Sequence, residues 1–425
     1  MEAAREVVVV SGKDILEEVG GHGTYVRAMC RAALGAGFSP HVFCAGREAG
    51  VLDTPFGRVH RVASPLRLVT RHGPGEGLRT RFLPFHRRQI RSQIEEFLQD
   101  RSGAFIVHGL GPWGAIGVEV AARMTTPNRT IIPIVTIWST VHDEHEGKRR
   151  GVSRHHGLGA WMRAQFEYRW MMTAVQPSDT RAITRSTRVL VNYESVARQV
   201  RQIAGHAPIE VVPYASEMAF DDPPAPRPRP DVFGGLEQPG VPVLVALSRH
   251  DSRKGIDILI EALRLLRSRG VGFRACVVGP GPLLDVHRRL ARTLGITDTT
   301  TIVGHAEDPI AFLQHADVFV LPSIQEGSGS VSMLEAMQAG LAIVASDVDG
   351  IPEDVSHGDS AQLVPPGDPV ALADALERVL ADEGLRRQLQ RRAREVFEAR
   401  FSADTFSRSV GRLYLELTRE ALADG

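Results

Sequence analysis

Apolar and polar positions follow the same alternating pattern in the two halves of the chain. Each half opens with a short apolar run that leads into a loop, and further apolar runs alternate with stretches of helical spacing. This alternation is typical of parallel sheets whose strands are joined by helices. The predicted strands are Val7–Val10, His41–Cys44, Ala104–His108, Ile131–Ile137, Val189–Asn192 and Ile209–Val212, then 243–247, Arg274–Val278, Thr300–Val303, Val318–Leu321 and Ala342–Ala345.

The helical stretches are marked by apolar residues that recur every three or four positions. Helices are predicted after Gly21, over 256–269 and 283–294, and between 369 and 401. A last helix carries an apolar face, formed by Phe406, Val410, Leu413, Tyr414 and Leu417.

A connector rich in proline and glycine separates the two halves. The segment between Glu217 and Pro242 cannot carry a core at that composition and reads as an extended linker. The predicted organisation is an N-terminal domain over 1–218, a linker over 219–241, a second domain over 242–400 and a C-terminal helix over 401–425. The predicted fold class is α/β, with two doubly wound, Rossmann-like domains facing each other across a cleft.

Composition narrows the functional classes. The 425 residues carry 50 basic and 50 acidic side chains, so global charge gives no argument for a nucleic-acid partner. Three scattered cysteines are too few for a disulfide framework or a zinc site. The N-terminal segment lacks the pattern of a signal peptide, and no apolar run reaches the length of a membrane span. We therefore expect a cytoplasmic protein.

The most informative segment is 317–350, which combines strand, turn, helix and strand. Glu326 lies in a glycine-serine turn just after the predicted strand Val318–Leu321, and Glu335 lies on the helix that follows. Doubly wound proteins bind ligands at the carboxyl ends of their strands. Amides at the start of a helix favour phosphate there. The segment is therefore predicted to hold a sugar nucleotide.

These residues resemble the donor-site signature of the retaining glycosyltransferases of family 4, which have the two-domain GT-B fold. The resemblance implies that Glu335 binds the ribose hydroxyls and that Glu326 lies beside the donor sugar and the reacting centre. It also implies that amides of the turn, those of Gly329, Ser330 and Val331, cradle the diphosphate. Eight residues separate the two glutamates where the family usually has seven, and Ser328 replaces its usual aromatic residue. We expect the turn to bulge.

Two cations in the loop after residue 247 provide a second part of the resemblance. Arg249 and Lys254 have the spacing of the family's G-R-L-x-x-x-K-G element, with Ser248 in place of the glycine. Fixed cations can stabilise a departing diphosphate without a metal. The alternative is a pair of solvated charges at a helix start. Val303 matches the family position that contacts the base, and the 279–282 turn is interpreted as structural.

The predicted site residues of the N-terminal half rest on single residues or pairs, which are weaker signals than the two donor-site motifs. Gly20 and Gly21 resemble the family's glycine pair, which implies that Gly21 approaches the donor phosphate and Gly20 the acceptor. His142 resembles the family's cleft histidine, which implies a catalytic role in which it touches the donor sugar and helps to align the acceptor. His108, at the end of a predicted strand, is assigned to the acceptor side. The HDEH run that begins at His142 could indicate a metal, but it lacks the helical H-E-x-x-H spacing, and the family needs no metal. We expect no cofactor beyond the nucleotide sugar.

A basic run over 67–91 carries seven arginines against a single acid, Glu76. Such runs are usually solvated faces. The alternatives are a site for an anionic acceptor or weak peripheral contact with acidic lipid.

The function predicted from the resemblance is metal-independent, retaining transfer of a sugar from a nucleoside diphosphate to an acceptor hydroxyl. The acceptor would be a small molecule, a glycan or a lipid-linked compound. Two other classes stay open: an epimerase or phosphorylase with the same fold, and a binding protein with impaired catalysis.

Overall fold

The strands of the protein form two sheets. A computed structural model describes residues 5–17, 21–63, 83–150, 158–221, 223–233 and 240–423. The first sheet contains β1 (Arg5–Val10), β2 (Phe38–Gly46), β3 (Gly50–Thr54), β4 (Gly57–Ala63), β5 (Gly103–Leu110), β6 (Arg129–Ile137), β7 (Arg188–Val191) and β8 (Ile209–Val211). The second contains β9 (Val243–Leu247), β10 (Arg274–Val278), β11 (Thr300–Val303), β12 (Val318–Leu321), β13 (Ala342–Ser346) and β14 (Gln362–Val364).

Helices connect these strands, as the alternating pattern predicted. They are α1 (Gly21–Gly35), α2 (Leu83–Leu98), α3 (Gly114–Met124), α4 (Val141–Arg150), α5 (Leu158–Trp170), α6 (Gln176–Arg185), α7 (Glu194–Ile203), α8 (Ile256–Ser268), α9 (Leu284–Thr293), α10 (Ile310–Gln314), α11 (Val331–Gln338), α12 (Ile351–Asp354), α13 (Pro369–Ala381), α14 (Glu383–Arg400) and α15 (Ala403–Ala423). A π-helical segment, Met171–Val175, joins α5 to α6, and 3-10 turns lie at Gly111–Trp113, Glu217–Asp221 and Asp231–Phe233. None of the described helices is long and apolar enough to span a bilayer.

The second sheet is entirely parallel, with strand order β11-β10-β9-β12-β13-β14. Numbered from its own first strand, this is the doubly wound order 3-2-1-4-5-6. Strands β12 and β13 are buried along their whole length, which explains their uninterrupted apolar sequences. The order reverses between β9 and β12, so the loops that follow these two strands meet at one edge of the sheet.

The first sheet has the order β3-β4-β2-β1-β5-β6-β7-β8 and is parallel except for the β3–β4 hairpin. Sequence analysis missed this hairpin, because β3 is exposed along nearly its whole length and shows no apolar alternation. Gly57 closes the turn with φ of 125°, and a Cβ there would lie 2.5 Å from the Pro40 carbonyl oxygen. The order again reverses between β1 and β5.

The chain divides into two units, Met1–Phe220 with Ala403–Gly425, and Asp221–Ser402. The last helix, α15, therefore belongs to the first unit, where it packs on α1 and β5. Its apolar face is buried, as the spacing predicted. Gly411 lets the helix approach α1 closely, since a Cβ there would lie 2.9 Å from that of Ala36.

Candidate functional site

Two loops meet at the switch point of the second sheet. Loop A (248–255) follows β9, and loop B (322–330) follows β12. The amides of Ile324 and Gln325 both donate to the Arg253 carbonyl oxygen, at 2.7 and 3.1 Å. Gly255 has φ of 58°, and a Cβ there would lie 2.0 Å from the Pro322 oxygen. Because the backbones approach so closely, only glycine fits at this position.

An ion pair joins the side chains of the two loops. Lys254 Nζ lies 2.5 Å from Glu326 Oε2, with side-chain exposures of 18% and 3%. The hydroxyl of Ser323 donates to the other carboxylate oxygen of Glu326. The fold thus brings together a cation and a carboxylate that are 72 residues apart in the chain, both in the predicted donor site.

A third loop fixes the turn that carries Glu326. In loop C (347–350), after β13, the Asp349 carboxylate accepts the amides of Glu326 and Gly327, each at 2.6 Å. The Gly350 amide donates to the Ser328 carbonyl oxygen at 2.9 Å. Sequence analysis missed Asp349, and the Asp-Gly pair just after a buried strand was the available signal.

The start of α11 lies directly beside this turn. Ser330 is the N-cap, and its hydroxyl accepts the Met333 amide at 3.4 Å. Gly329, Ser330 and Val331 therefore stand where the first amides of the helix lack partners within it and the helix dipole is positive. Glu335, partly buried, lies on the same helix just after its first turn. This arrangement suits an anion at the helix start.

Other predicted residues of this unit lie around loop A. Arg249 is exposed on the loop. The Gly279 amide binds the carbonyl oxygens of Val303 and Gly304, each at 3.1 Å. A Cβ on Gly279 would lie 2.0 Å from the Ser248 oxygen, so the 279–282 turn packs on loop A. This turn has the structural role that its sequence predicted.

Two buried histidines, His250 within loop A and His287 on α9, contact each other. The Nδ1 atoms of His250 and His287 lie 2.8 Å apart. Burial, then the charges of neighbouring groups, lower the pKa of His250 to about 4, and burial also lowers the pKa of His287. Both rings are therefore neutral at pH 7 and add no charge beside Arg249 and Lys254.

His22, which sequence analysis missed, lies at the start of α1, at the switch-point edge of the first sheet. Gly20 lies outside the described residues, and Gly21 is the exposed first residue of α1. The next residue, His22, lies 3.0 Å from Ser11 Oγ and packs edge-on against Trp138. Burial, and then the charge of Lys13, lower the pKa of His22 to about 3.

His142 lies in the first turn of α4, with 47% of its side chain exposed, 3.7 Å from Asp143 Oδ1. Its backbone is held from α6, because the Val141 amide donates to Asp179 at 3.0 Å. Burial raises the pKa of Asp179 to about 7. The hydrogen bond at Val141 thus holds the first turn of α4, which carries His142.

The assignment of His108 to the acceptor side is not supported by its position. The ring is fully buried. Its Nδ1 lies 2.7 Å from the Tyr414 hydroxyl, and its Nε2 lies 2.7 Å from Thr136 Oγ1. Burial lowers the pKa of His108 to about 3. His108 is therefore a neutral core residue that ties α15 to the sheet, because β5 is buried on both faces there.

The basic run is only partly described, since 67–82 lie outside the described ranges. Of its remaining arginines, Arg87 and Arg91 both pair with Glu119, at 2.8 and 2.7 Å. Arg181 of α6 joins the same carboxylate at 3.0 Å. Two arginines of the run thus belong to an internal ion-pair network rather than to a solvated face.

The HDEH run does not assemble into a metal cluster in the ranges that the structure describes. No group of three or more histidine, cysteine, aspartate or glutamate side chains there is placed to hold an ion. His142 is exposed, whereas His145 is buried, 3.8 Å from Glu167. His155 and His156 lie outside the described residues.

Two family sequence models match the chain. "Glycosyltransferase Family 4" matches residues 19–215, and "Glycosyl transferases group 1" matches residues 231–396. Together they cover most of both units, including loops A, B and C. The family resemblance predicted from the sequence is thereby confirmed.

Curated relatives are similar over part of their length. A GDP-mannose-dependent α-(1-6)-phosphatidylinositol monomannoside mannosyltransferase of Mycobacterium tuberculosis is 30% identical over 57% of this chain and 65% of its own. An N-acetyl-α-D-glucosaminyl L-malate synthase of Bacillus anthracis is 29% identical over 40% of this chain and 44% of its own. The chain thus matches about half to just under two thirds of these relatives.

Solved structures match over nearly the whole chain. Sucrose-phosphate synthase from Thermosynechococcus elongatus gives a TM-score of 0.74 at 21% identity, over 98% of this chain and 100% of that one. HepE from Anabaena, solved in complex with UDP, gives 0.63 at 14% identity, over 97% and 100%. At these identities the similarity concerns the fold, which is the predicted GT-B fold.

Proposed function

We propose that this chain, which belongs to family 4 of the glycosyltransferases and has the GT-B fold, transfers a sugar from a nucleoside diphosphate to an acceptor hydroxyl with retention of configuration. The observation that carries the proposal is the Lys254–Glu326 pair at the switch point of the second sheet. It places a cation and a carboxylate beside the start of α11, where an anion is favoured.

The chain's own groups account for stabilisation of the leaving group. Lys254 and Arg249 would neutralise the diphosphate together with the amides of Gly329, Ser330 and Val331. The bond between the anomeric carbon and the phosphate oxygen breaks, and the acceptor oxygen bonds to the same face of that carbon. The acceptor proton passes to the departing phosphate oxygen. No step requires a metal.

The two glutamates take different parts in this proposal. Glu335, just past the first turn of α11, would accept hydrogen bonds from the ribose hydroxyls. Glu326 has only 3% of its side chain exposed while it is paired with Lys254. We infer that a bound diphosphate competes for the Lys254 ammonium, because phosphate also attracts it. One carboxylate oxygen of Glu326 would then be available to a sugar hydroxyl.

The first unit would supply the acceptor side, with Gly20 as a candidate. Gly21 would approach the donor phosphate, and His142 would touch the donor sugar and align the acceptor. The relatives differ in what their names state, from a phosphatidylinositol mannoside to malate. We keep the acceptor class as a small molecule, a glycan or a lipid-linked compound. The internal pairing of Arg87 and Arg91 reduces the charge available for membrane contact through the 67–91 run. Arginines at 67–82 remain candidates for that contact.

The test is donor turnover by the purified chain. UDP-, GDP- and ADP-sugars are incubated with and without a panel of acceptor alcohols, and NMR follows nucleotide release and the anomeric configuration of the product. Retained configuration and activity that survives EDTA support the proposal. Inversion contradicts the same-face reaction, and activity lost to EDTA and restored by Mg²⁺ contradicts metal independence.

The remaining classes give different results in the same assay. An epimerase converts the donor sugar without an acceptor. A catalytically impaired binding protein shifts its melting temperature with one nucleoside diphosphate but releases none from the sugar.

A further inference from the structure

Asp349 is the only non-glycine residue with positive φ in the described ranges of the chain, at 52°. A left-handed conformation is unfavourable for residues with a Cβ, and aspartate tolerates it better than most. Glycine would fit this position at lower conformational cost. The carboxylate of Asp349 must therefore provide something that offsets the cost.

The contacts of Asp349 show what the carboxylate does. One oxygen, Oδ2, accepts two consecutive amides of loop B, those of Glu326 and Gly327, each at 2.6 Å. Hydrogen bonds from amides to a charged carboxylate are among the stronger ones in proteins. Two consecutive amides bound to one oxygen fix the orientation of the peptide that joins them, and with it the direction of the Glu326 side chain.

Loop B needs such a support because it carries an additional residue. The backbone of Ser328 is held in the same way, by the Gly350 amide at 2.9 Å. Loop C thus binds both sides of Gly327, which itself has φ of 82°. Of the eight residues between Glu326 and Glu335, 327–330 form the turn that loop C holds and 331–334 belong to α11.

We propose that Asp349 is a positioning residue, which holds loop B so that the Glu326 carboxylate faces Lys254 and, with donor bound, the sugar. The inference rests on the proposed function for its consequence in catalysis. Its structural part, the dependence of the Glu326 position on Asp349, stands independently of that function.

Three variants distinguish the effect of the backbone conformation at Asp349 from the effect of its two hydrogen bonds to loop B. Asp349→Gly accepts positive φ and removes both hydrogen bonds. Asp349→Asn keeps an acceptor oxygen and tolerance of this conformation but loses the charge. Asp347→Ala removes an exposed carboxylate in the same loop and is the matched control.

We expect kcat for Asp349→Gly to fall about 10- to 100-fold, because small misplacements of positioned groups have effects of this size. Asp349→Asn should recover part of the loss, and Asp347→Ala should stay within about twofold of wild type. Affinity for the nucleoside diphosphate, measured by calorimetry, should change less than about threefold in all three variants. The inference is overturned if Asp349→Gly turns over like Asp347→Ala, or if its kcat and its diphosphate affinity fall together.

Crystal structures of wild type and Asp349→Gly distinguish this inference from the proposed function. A displaced Glu326 carboxylate, separated from Lys254, supports the inference even if the wild type transfers no sugar, a result that contradicts only the proposed function. An unchanged Glu326 position overturns the inference even if the wild type is an active transferase. Should Asp349→Gly fail to fold, Asp349→Asn takes its place in both experiments.

Discussion

The switch-point edges of the two sheets differ in how their predicted residues are arranged. In the second unit, loops A and B are joined by backbone hydrogen bonds and by the Lys254–Glu326 pair, and loop C holds the same turn. In the first unit, His142 is exposed and His108 is buried in the core. Lys254, Glu326 and loop C thus form one connected site in the second unit, whereas His142 and His108 of the first unit have no contact with each other among the described residues.

The difference follows from the kind of signal that each prediction used. The donor residues come from two motifs with fixed spacing, and the spacing itself places them on adjacent loops of a doubly wound sheet. The acceptor residues came from single glycines and histidines, and a single residue type does not tell which way its side chain points. Spacing therefore carries more information than residue type.

The largest effect is expected when the cation of the connected site, Lys254, is removed. We expect Lys254→Met to lower kcat/KM by about 100- to 1,000-fold, the size of effect seen when a group that stabilises developing charge is lost. Arg292→Met, which removes an exposed arginine of the same unit, should stay within about twofold. Steady-state donor turnover measures both.

Lys254→Met also leaves Glu326 buried without its partner, which can destabilise the fold. The double variant Lys254→Met with Glu326→Gln removes this charge and serves as the control. If the double variant regains full turnover, the lysine has no role in the reaction, and the connected site is only structural.

A second prediction tests the close approach of loops A and B through two matched glycines. Gly255 and Gly270 both have positive φ, at 58° and 75°. Only Gly255 has backbone in its Cβ position, since Gly270 has no atom within 4 Å. Gly270→Ala should lower the free energy of unfolding by about 1–2 kcal/mol. Gly255→Ala should lower it by about 1–3 kcal/mol more, because the loops must separate.

Urea unfolding of the two alanine variants gives these values. Equal destabilisation would mean that the loops are not held against each other in solution, and would remove the contrast with the first unit.

The last prediction tests the first unit, through the placement of His108 in the core. The folded pKa of His108 is about 3, below the ordinary value of 6.5. Between these values the unfolded chain takes up a proton at His108 and the folded chain does not. The stabilisation is therefore fully present above pH 6.5 and is lost as the pH falls toward 3. The slope is at most about 1.4 kcal/mol per pH unit for one proton.

His108→Asn should be less stable than wild type at pH 7, but its stability should decline less steeply between pH 6 and 4. His206→Asn, at an exposed histidine, provides the control and should keep the wild-type slope. Unfolding free energies measured at several pH values test this. Parallel slopes for wild type and His108→Asn would mean that His108 is open to protons, as an acceptor-side residue would be.

The sequence by itself predicted most of the parallel strands, although β4 and β14 were missed, and it indicated the candidate donor residues. Predicted strands Arg274–Val278, Thr300–Val303 and Val318–Leu321 match the observed bounds. Buried parallel strands must be apolar along their length, so local sequence identifies them. The exposed hairpin strand β3 has no such requirement and was missed.

Only the tertiary structure decided which side chains meet. The Lys254–Glu326 pair, the support of Glu326 by Asp349 and the burial of His108 each depend on residues far apart in the chain. The apolar pattern of a strand's sequence indicates whether the strand is buried, because burial constrains every residue of that strand. A local pattern does not show which distant loop supplies the partner of a side chain, because the strand order of the sheet determines which loops lie side by side.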